Sequence, residues 1–116
     1  MKPEGPNVIT KTHDLIEWFI PIISKFPRNQ RYSLGERLEN NLFDILELLI
    51  QANYHKEKLD KLKNANIKLE IVRHLVRICH KFQFLNLRRY EFVSRNIDEI
   101  GRLIGGWIKQ QKSLLK

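Results

Sequence analysis

Apolar residues return every three or four positions through four successive stretches of this chain, a period that admits helices and little else. In the first stretch Leu15, Trp18, Phe19, Ile22, Ile23 and Phe26 share one helical face. In the second, over about 28–54, Leu34, Leu38, Leu42, Ile45, Leu49 and Ala52 alternate steps of four and three, and Phe43, Leu46 and Ile50 widen the face. The third, over about 57–82, carries two rows. Leu62, Ala65, Leu69, Val72, Val76 and Cys79 form one; Ile67, Ile71, Leu75, Ile78 and Phe82 form the other. The fourth repeats Tyr90, Val93, Ile97, Ile100, Ile104 and Trp107.

The breaks between these stretches are short, so successive helices run antiparallel. Pro3, Gly5 and Pro6 predict a flexible N-terminal tail over residues 1–9, with a single domain over 10–116. Thr12 is placed to cap the first helix, with Asp14 and Glu17 near its positive end. Pro21 should kink that helix or free one carbonyl, and Pro27 should end it and open the next at its first position. Asn86 is placed to cap the fourth. With 42% apolar residues in 116, the chain has material for one real core. The expected fold is all-α, an antiparallel up-down-up-down four-helix bundle.

Two helices carry more apolar surface than a small bundle obviously needs. Either the core is wide, or the second face packs against another subunit. The fourth helix adds Gly101, Gly105 and Gly106, each costing about 1 kcal/mol of helix stability against alanine. Close approach within the bundle is the simpler compensation; a subunit contact or backbone approach to a ligand is the sharper one.

Charge is divided unequally. Residues 55–116 hold fifteen Lys and Arg against six Asp and Glu, whereas residues 1–54 hold six against seven. The net +8 therefore sits entirely in the second half, which speaks of a polyanionic partner: nucleic acid first, an anionic surface or acidic protein second. Arg88, Arg95, Arg102, Lys109 and Lys116 recur every seven residues, with Glu91 and Asp98 four residues before Arg95 and Arg102. Pairing at that spacing would absorb part of the stripe.

In an up-down bundle, one end would gather Lys25, Arg28, Arg31, Arg77, His80, Lys81, Arg88 and Arg89. Arg28, Arg31, Arg88 and Arg89 fall near helix starts, where the macrodipole disfavours cations by about 0.3–1 kcal/mol each. Arginine forks beside free helix N–H groups make a phosphate cradle. This end is the expected phosphate-contacting surface. The opposite end gathers Lys56, Lys58, Lys61, Lys63, Lys109, Lys112 and Lys116, diluted by Glu47, Glu57 and Asp60.

Nothing in the sequence points to catalysis. His13, His55, His74 and His80 lack the spacing of a helix-borne metal site, and neither a phosphate loop nor a nucleophile elbow is present. Glu36, Glu39, Asp44 and Glu47 have no accompanying His and read as a solvated or intersubunit face. Cys79 and the aromatics Trp18, Tyr90, Phe92 and Trp107 lie mostly at core spacings. The expectation is a binding protein, not an enzyme, with no metal or cofactor. A lone cysteine suits a reducing cytoplasm. No apolar run approaches the roughly 18–20 residues of a membrane span, and the N-terminus lacks a signal-peptide pattern. A cytoplasmic protein with no membrane partner is expected.

Two blocks, SKFPRNQRYSLGERLENNLFDILELLI at 24–50 and NLRRYEFVSRNIDEIGRLIGGWIK at 86–109, carry a resemblance. Their specific parts are the run from Phe26 to Asn40, RRYEF at Arg88–Phe92, and the run from Asp98 to Trp107 ending in GGW. These resemble the accessory variability determinant (Avd) proteins of bacterial and phage diversity-generating retroelements, over nearly the whole chain after about residue 8. The resemblance implies a basic homopentameric barrel of four-helix protomers. It implies association with the element's reverse transcriptase and with template RNA, and also DNA, in support of mutagenic cDNA synthesis and retrohoming. Arg28, Arg31, Arg37, Arg88, Arg89, Arg95 and Arg102 match arginines of these runs, and Gly101, Gly105 and Gly106 match their glycines. With Arg77 and Lys81 from the basic end, the candidate binding residues are Arg28, Arg31, Arg77, Lys81, Arg88, Arg89, Arg95 and Arg102. Alternatives are a four-helix protein of the kind encoded within intervening sequences of 23S ribosomal RNA, and a scaffold for an acidic protein partner.

Overall fold

The computed structural model describes residues 4–115. The chain forms α1 (Glu4–Ile23), α2 (Arg28–Gln30), a π-helical turn (Arg31–Gly35), α3 (Glu36–Tyr54), α4 (Leu59–Lys81) and α5 (Leu87–Ser113). α2, the π turn and α3 follow without a break, so the described residues give four long helices. α1 packs on α3 and α5, and α4 packs on the same two, which sets the helices at the corners of a square with α1 and α4 on a diagonal. The molecule is 49 Å in its major extent, somewhat longer than the roughly 40 Å of α5, its longest helix.

The core is the first set of rows. Leu38, Leu42, Ile45, Leu49 and Ala52 from α3 meet Leu62, Ala65, Leu69, Val72, Val76 and Cys79 from α4, and all are buried. α5 contributes Val93, Ile97, Ile100, Ile104 and Trp107, and α1 contributes Leu15, Phe19 and Ile23. Burial of each large aliphatic side chain is worth about 1.5–3 kcal/mol, enough to overrule weak local propensities. The second rows join this core only in part: Leu75 and Leu46 pack against it, whereas Ile67, Ile71 and Ile78 on α4, Phe82 at its C-cap, and Phe43 and Ile50 on α3 stay exposed.

The N-terminus departs from expectation. α1 begins at Glu4, inside the segment expected to be a loose tail, and Val8 is fully buried; residues 1–3 of that segment lie outside the described residues. Val8, Leu15 and Phe19 extend one stripe backwards, and their burial outweighs the adverse composition. Pro6 costs little because the first helical N–H groups have no intrahelical acceptor. Thr12 is therefore no cap; it is buried mid-helix, its Oγ1 donating to the Val8 carbonyl at 2.8 Å.

Local chemistry sets the other ends. Pro27 precedes α2 as its N-cap, one position earlier than expected, because its ψ of 144° is still extended. Asn86 does cap α5, its side chain accepting from the Arg89 N–H at 2.8 Å. α3 ends under a lysine: Lys58 Nζ donates to the Ala52 and His55 carbonyls, both at 2.6 Å. The π turn brings buried Gly35 against α1, where an added Cβ would stand 2.7 Å from Ile23 Cγ2. Among the described residues no helix is long and apolar enough to cross a membrane.

Candidate nucleic-acid interface

Six of the eight candidate cations come to one end of the bundle. Phe26, between α1 and α2, packs 5.5 Å from Phe84, between α4 and α5, with the rings tilted by 36°, which joins the two connections. Arg28 and Arg31 therefore share that end with Arg77, Lys81, Arg88 and Arg89, and all six are exposed. Among the described residues none of the six forms an ion pair. Neither α2 nor α5 carries an acidic residue in its first turn. Arg31 makes one weak hydrogen bond, Nη1 to the Ser24 carbonyl at 3.4 Å. Arg95 and Arg102 follow Arg88 at seven-residue steps of about 10 Å along α5, so they run away from this end.

Two expectations about this end change. The Gln30 and Arg31 N–H groups both bond the Pro27 carbonyl, and the Arg89 N–H is taken by Asn86. These bonds take the third N–H of each helix start, so the arginine forks are the principal groups that reach out from this end. His80 is engaged in the scaffold of this end. Its Nδ1 lies 3.0 Å from the Leu85 carbonyl and its ring stacks 4.3 Å from Tyr90 at 1°.

The heptad stripe of α5 is not a ladder within one helix. Asp98 pairs with Arg73 of α4 at 3.0 Å, and Glu99 reaches Lys11 of α1 at 3.1 Å and Arg102 at 3.8 Å. Burial lowers the Arg73 pKa, but its hydrogen bonds to Asp98 and Glu70 outweigh that and hold the guanidinium above its ordinary value. Arg95 is left without the Glu91 partner that spacing suggested, and Lys116 lies outside the described residues. Sequence spacing could not foresee these cross-helix pairs, because they depend on which helices become neighbours.

At the opposite end one lysine is engaged by the backbone, while Lys63, Lys109 and Lys112 are exposed and form no ion pair among the described residues. Lys58 is consumed by the α3 carbonyls, and Lys56 shares a recess of about 400 Å³ with Glu57, Asp60 and Gln111. Of the aromatics expected in the core, Trp107 is fully buried and Trp18 and Tyr90 are half-buried. Phe92 is exposed and packs on Trp18 at 5.0 Å. Phe82, assigned by its spacing to an apolar row, instead stands 67% exposed among the arginines.

The glycines also separate. Gly101 lies against α4, where a Cβ would meet Leu69 and Arg73 at 3.4 Å, whereas Gly105 and Gly106 have nothing within 4 Å. Close approach inside the bundle thus accounts for Gly101 alone. Cys79 is buried and its thiol is pushed up to about 12 by desolvation, so it is an inert core residue.

No curated protein matches the chain. The family model described as bAvd-like matches residues 8–111, a span that begins at buried Val8 of α1 and takes in the arginine end, the π turn and the glycines of α5. By that match over nearly its whole length, the chain belongs to the bAvd-like family.

Proposed function

We propose that this chain is a non-catalytic accessory protein of a diversity-generating retroelement. In this reading it assembles into a homopentameric ring and holds template RNA and the element's reverse transcriptase during mutagenic cDNA synthesis in the cytoplasm. The observation that carries it is the set of six exposed cations at one end, none engaged by an acidic group among the described residues, in a chain of this family. Charge left unpaired at helix starts disfavours the fold slightly and is offset by a polyanion.

Ring assembly draws support from the outer faces. Phe43, Ile50, Ile67, Ile71 and Ile78 are exposed on the α3/α4 side, and Ile20, Leu87 and Phe92 on the α1/α5 side. These sides are opposite in the square of helices. Two different apolar faces on opposite sides suit a head-to-tail contact, which closes into a ring when the rotation permits. Bare backbone at Gly105 and Gly106 suits close approach by a neighbouring subunit. The count of five comes from the family resemblance, and such a ring carries about +40.

The test is titration of the purified protein with a structured RNA at several salt concentrations, comparing wild type with Arg28→Gln/Arg31→Gln/Arg88→Gln/Arg89→Gln. The wild type should show a steep fall of log K with log salt, about 0.7–0.9 per phosphate neutralised, and the variant a shallower one. Absence of wild-type binding at moderate salt would assign the cations to an acidic protein surface instead. Equal loss on reversing the lysines of the far end would remove the arginine end from the reading.

A further inference from the structure

A short groove of about 270 Å³ opens at the arginine end, between the π turn and the end of α4, with Gln30, Arg37, Ile78, Phe82 and Phe84 among its lining residues. Three rings lead out to it from the core. Phe26 is buried, Phe84 is half-buried 5.5 Å from it, and Phe82 lies 6.0 Å beyond, nearly parallel to Phe84 at 19°. The outermost ring is backed by protein on one face and open on the other.

The backbone holds that ring where it is. α4 ends in a Schellman turn: the Phe84 N–H bonds the Cys79 carbonyl and the Gln83 N–H bonds the His80 carbonyl, both at 2.9 Å. Gln83 occupies the left-handed position of that turn at φ 65°, where glycine is the usual residue. Fixing Phe82 and Phe84 on either side of Gln83 leaves the exposed phenyl little freedom to fold away from water. Phe82, 67% exposed, adjoins exposed Ile78 and half-buried Phe84 in the groove, and a contiguous apolar patch of this kind marks a binding surface.

The surroundings select the cover. Arg37 lines the groove, and Arg28, Arg31, Arg77 and Lys81 stand exposed at the same end without ion pairs among the described residues. A second copy meeting this end with its own arginine end would set like charge against like charge, so such a pairing is opposed. An aromatic ring within a field of unpaired cations matches the stacking platforms that bind unpaired bases and neutralise the flanking phosphates. In a duplex the bases are already stacked and turned inward, so only the phosphates would engage. RNA is the polynucleotide most often recognised through unpaired loops and ends.

We infer that this groove binds an unpaired base of single-stranded RNA, stacked on Phe82, with the adjoining phosphates on Arg28, Arg31, Arg77 and Lys81. The inference rests on the nucleic-acid reading above and adds to it a preference for single strands. It makes Phe82 a contributor to affinity that is independent of charge.

Fluorescence anisotropy of the full chain would test this with an unstructured single-stranded RNA and an RNA duplex of matched phosphate count, at two salt concentrations. Wild type should favour the single strand. Phe82→Ala should weaken single-strand binding about tenfold, leave duplex binding and the salt slope unchanged, and be rescued by Phe82→Tyr. Arg28→Gln/Arg31→Gln should weaken both RNAs and flatten both slopes. If wild type binds both RNAs and Phe82→Ala changes neither, the stacking site is overturned while the nucleic-acid reading stands. A drop in oligomeric mass of Phe82→Ala without loss of single-strand affinity would assign the ring to a subunit contact. Failure of wild type to bind either RNA would overturn both readings.

Discussion

Cys79 has no solvent exposure in the inner row of α4, and burial moves its thiol from an ordinary 9.0 up to about 12. The consequence has a definite sign. In the unfolded chain the thiol ionises near 9.0, so between that value and about 12 the folded state holds a proton that the unfolded state has lost. The stability this residue contributes is fully present below 9.0 and is lost as pH rises toward 12, by at most about 1.4 kcal/mol per pH unit. Urea unfolding from neutral pH to about pH 10 should therefore show a steeper decline for wild type than for Cys79→Ala. Parallel declines would mean that the thiol is not desolvated in the folded chain. Spacing alone placed Cys79 in a core row. It placed Ile78, one residue earlier, in a second row of equal appearance, and nothing at the residue scale says which row meets the other helices.

Helix ends show what local chemistry can and cannot specify. Asn86 was legible as a cap because its side chain needs only the N–H three residues on. The end of α3 was not, because its carbonyls are met by Lys58 folding back across the α3–α4 connection, a contact no short motif encodes. Replacing Lys58 with Met keeps the aliphatic stem and removes the donor. The expected cost is about 1–2 kcal/mol in urea unfolding, with faster hydrogen exchange over 52–58. An unchanged midpoint would show that water serves those carbonyls equally well. The π turn was hidden for another reason. One extra residue in one turn barely disturbs an apolar period, and only the approach of Gly35 to Ile23 gives it a structural use.

For the whole molecule, neighbouring residues of α4 should behave in opposite ways. Leu69 is in the core, whereas Ile71 is 41% exposed on the face proposed to meet another subunit. Leu69→Ala should cost about 2–5 kcal/mol of stability, as for other buried large-to-small changes. Ile71→Glu should leave helicity and the protomer's unfolding nearly unchanged while lowering the mass seen by size exclusion with light scattering. An Ile71→Glu protein that keeps the wild-type mass would move the subunit contact off this face. The arginine end is likewise a property of the whole: Arg28 and Arg89 are far apart in sequence and share a surface because α1 and α4 both finish where α2 and α5 begin.

Periodicity by itself determined four helices, one buried row on each, and the uneven placement of charge, because a 3.6-residue repeat and a list of ionisable groups are local properties. It misjudged the start of α1, since whether Val8 is buried depends on a pocket built by distant helices that outweighs the preference of Pro and Gly for a tail. Only the tertiary structure decided which apolar row faces inward, which acids on α5 are drawn off to Arg73 and Lys11, and that Phe82 stands in water among unpaired arginines. Those outcomes turn on the relative rotation of packed helices, and rotation is fixed by how side chains from all four fit together.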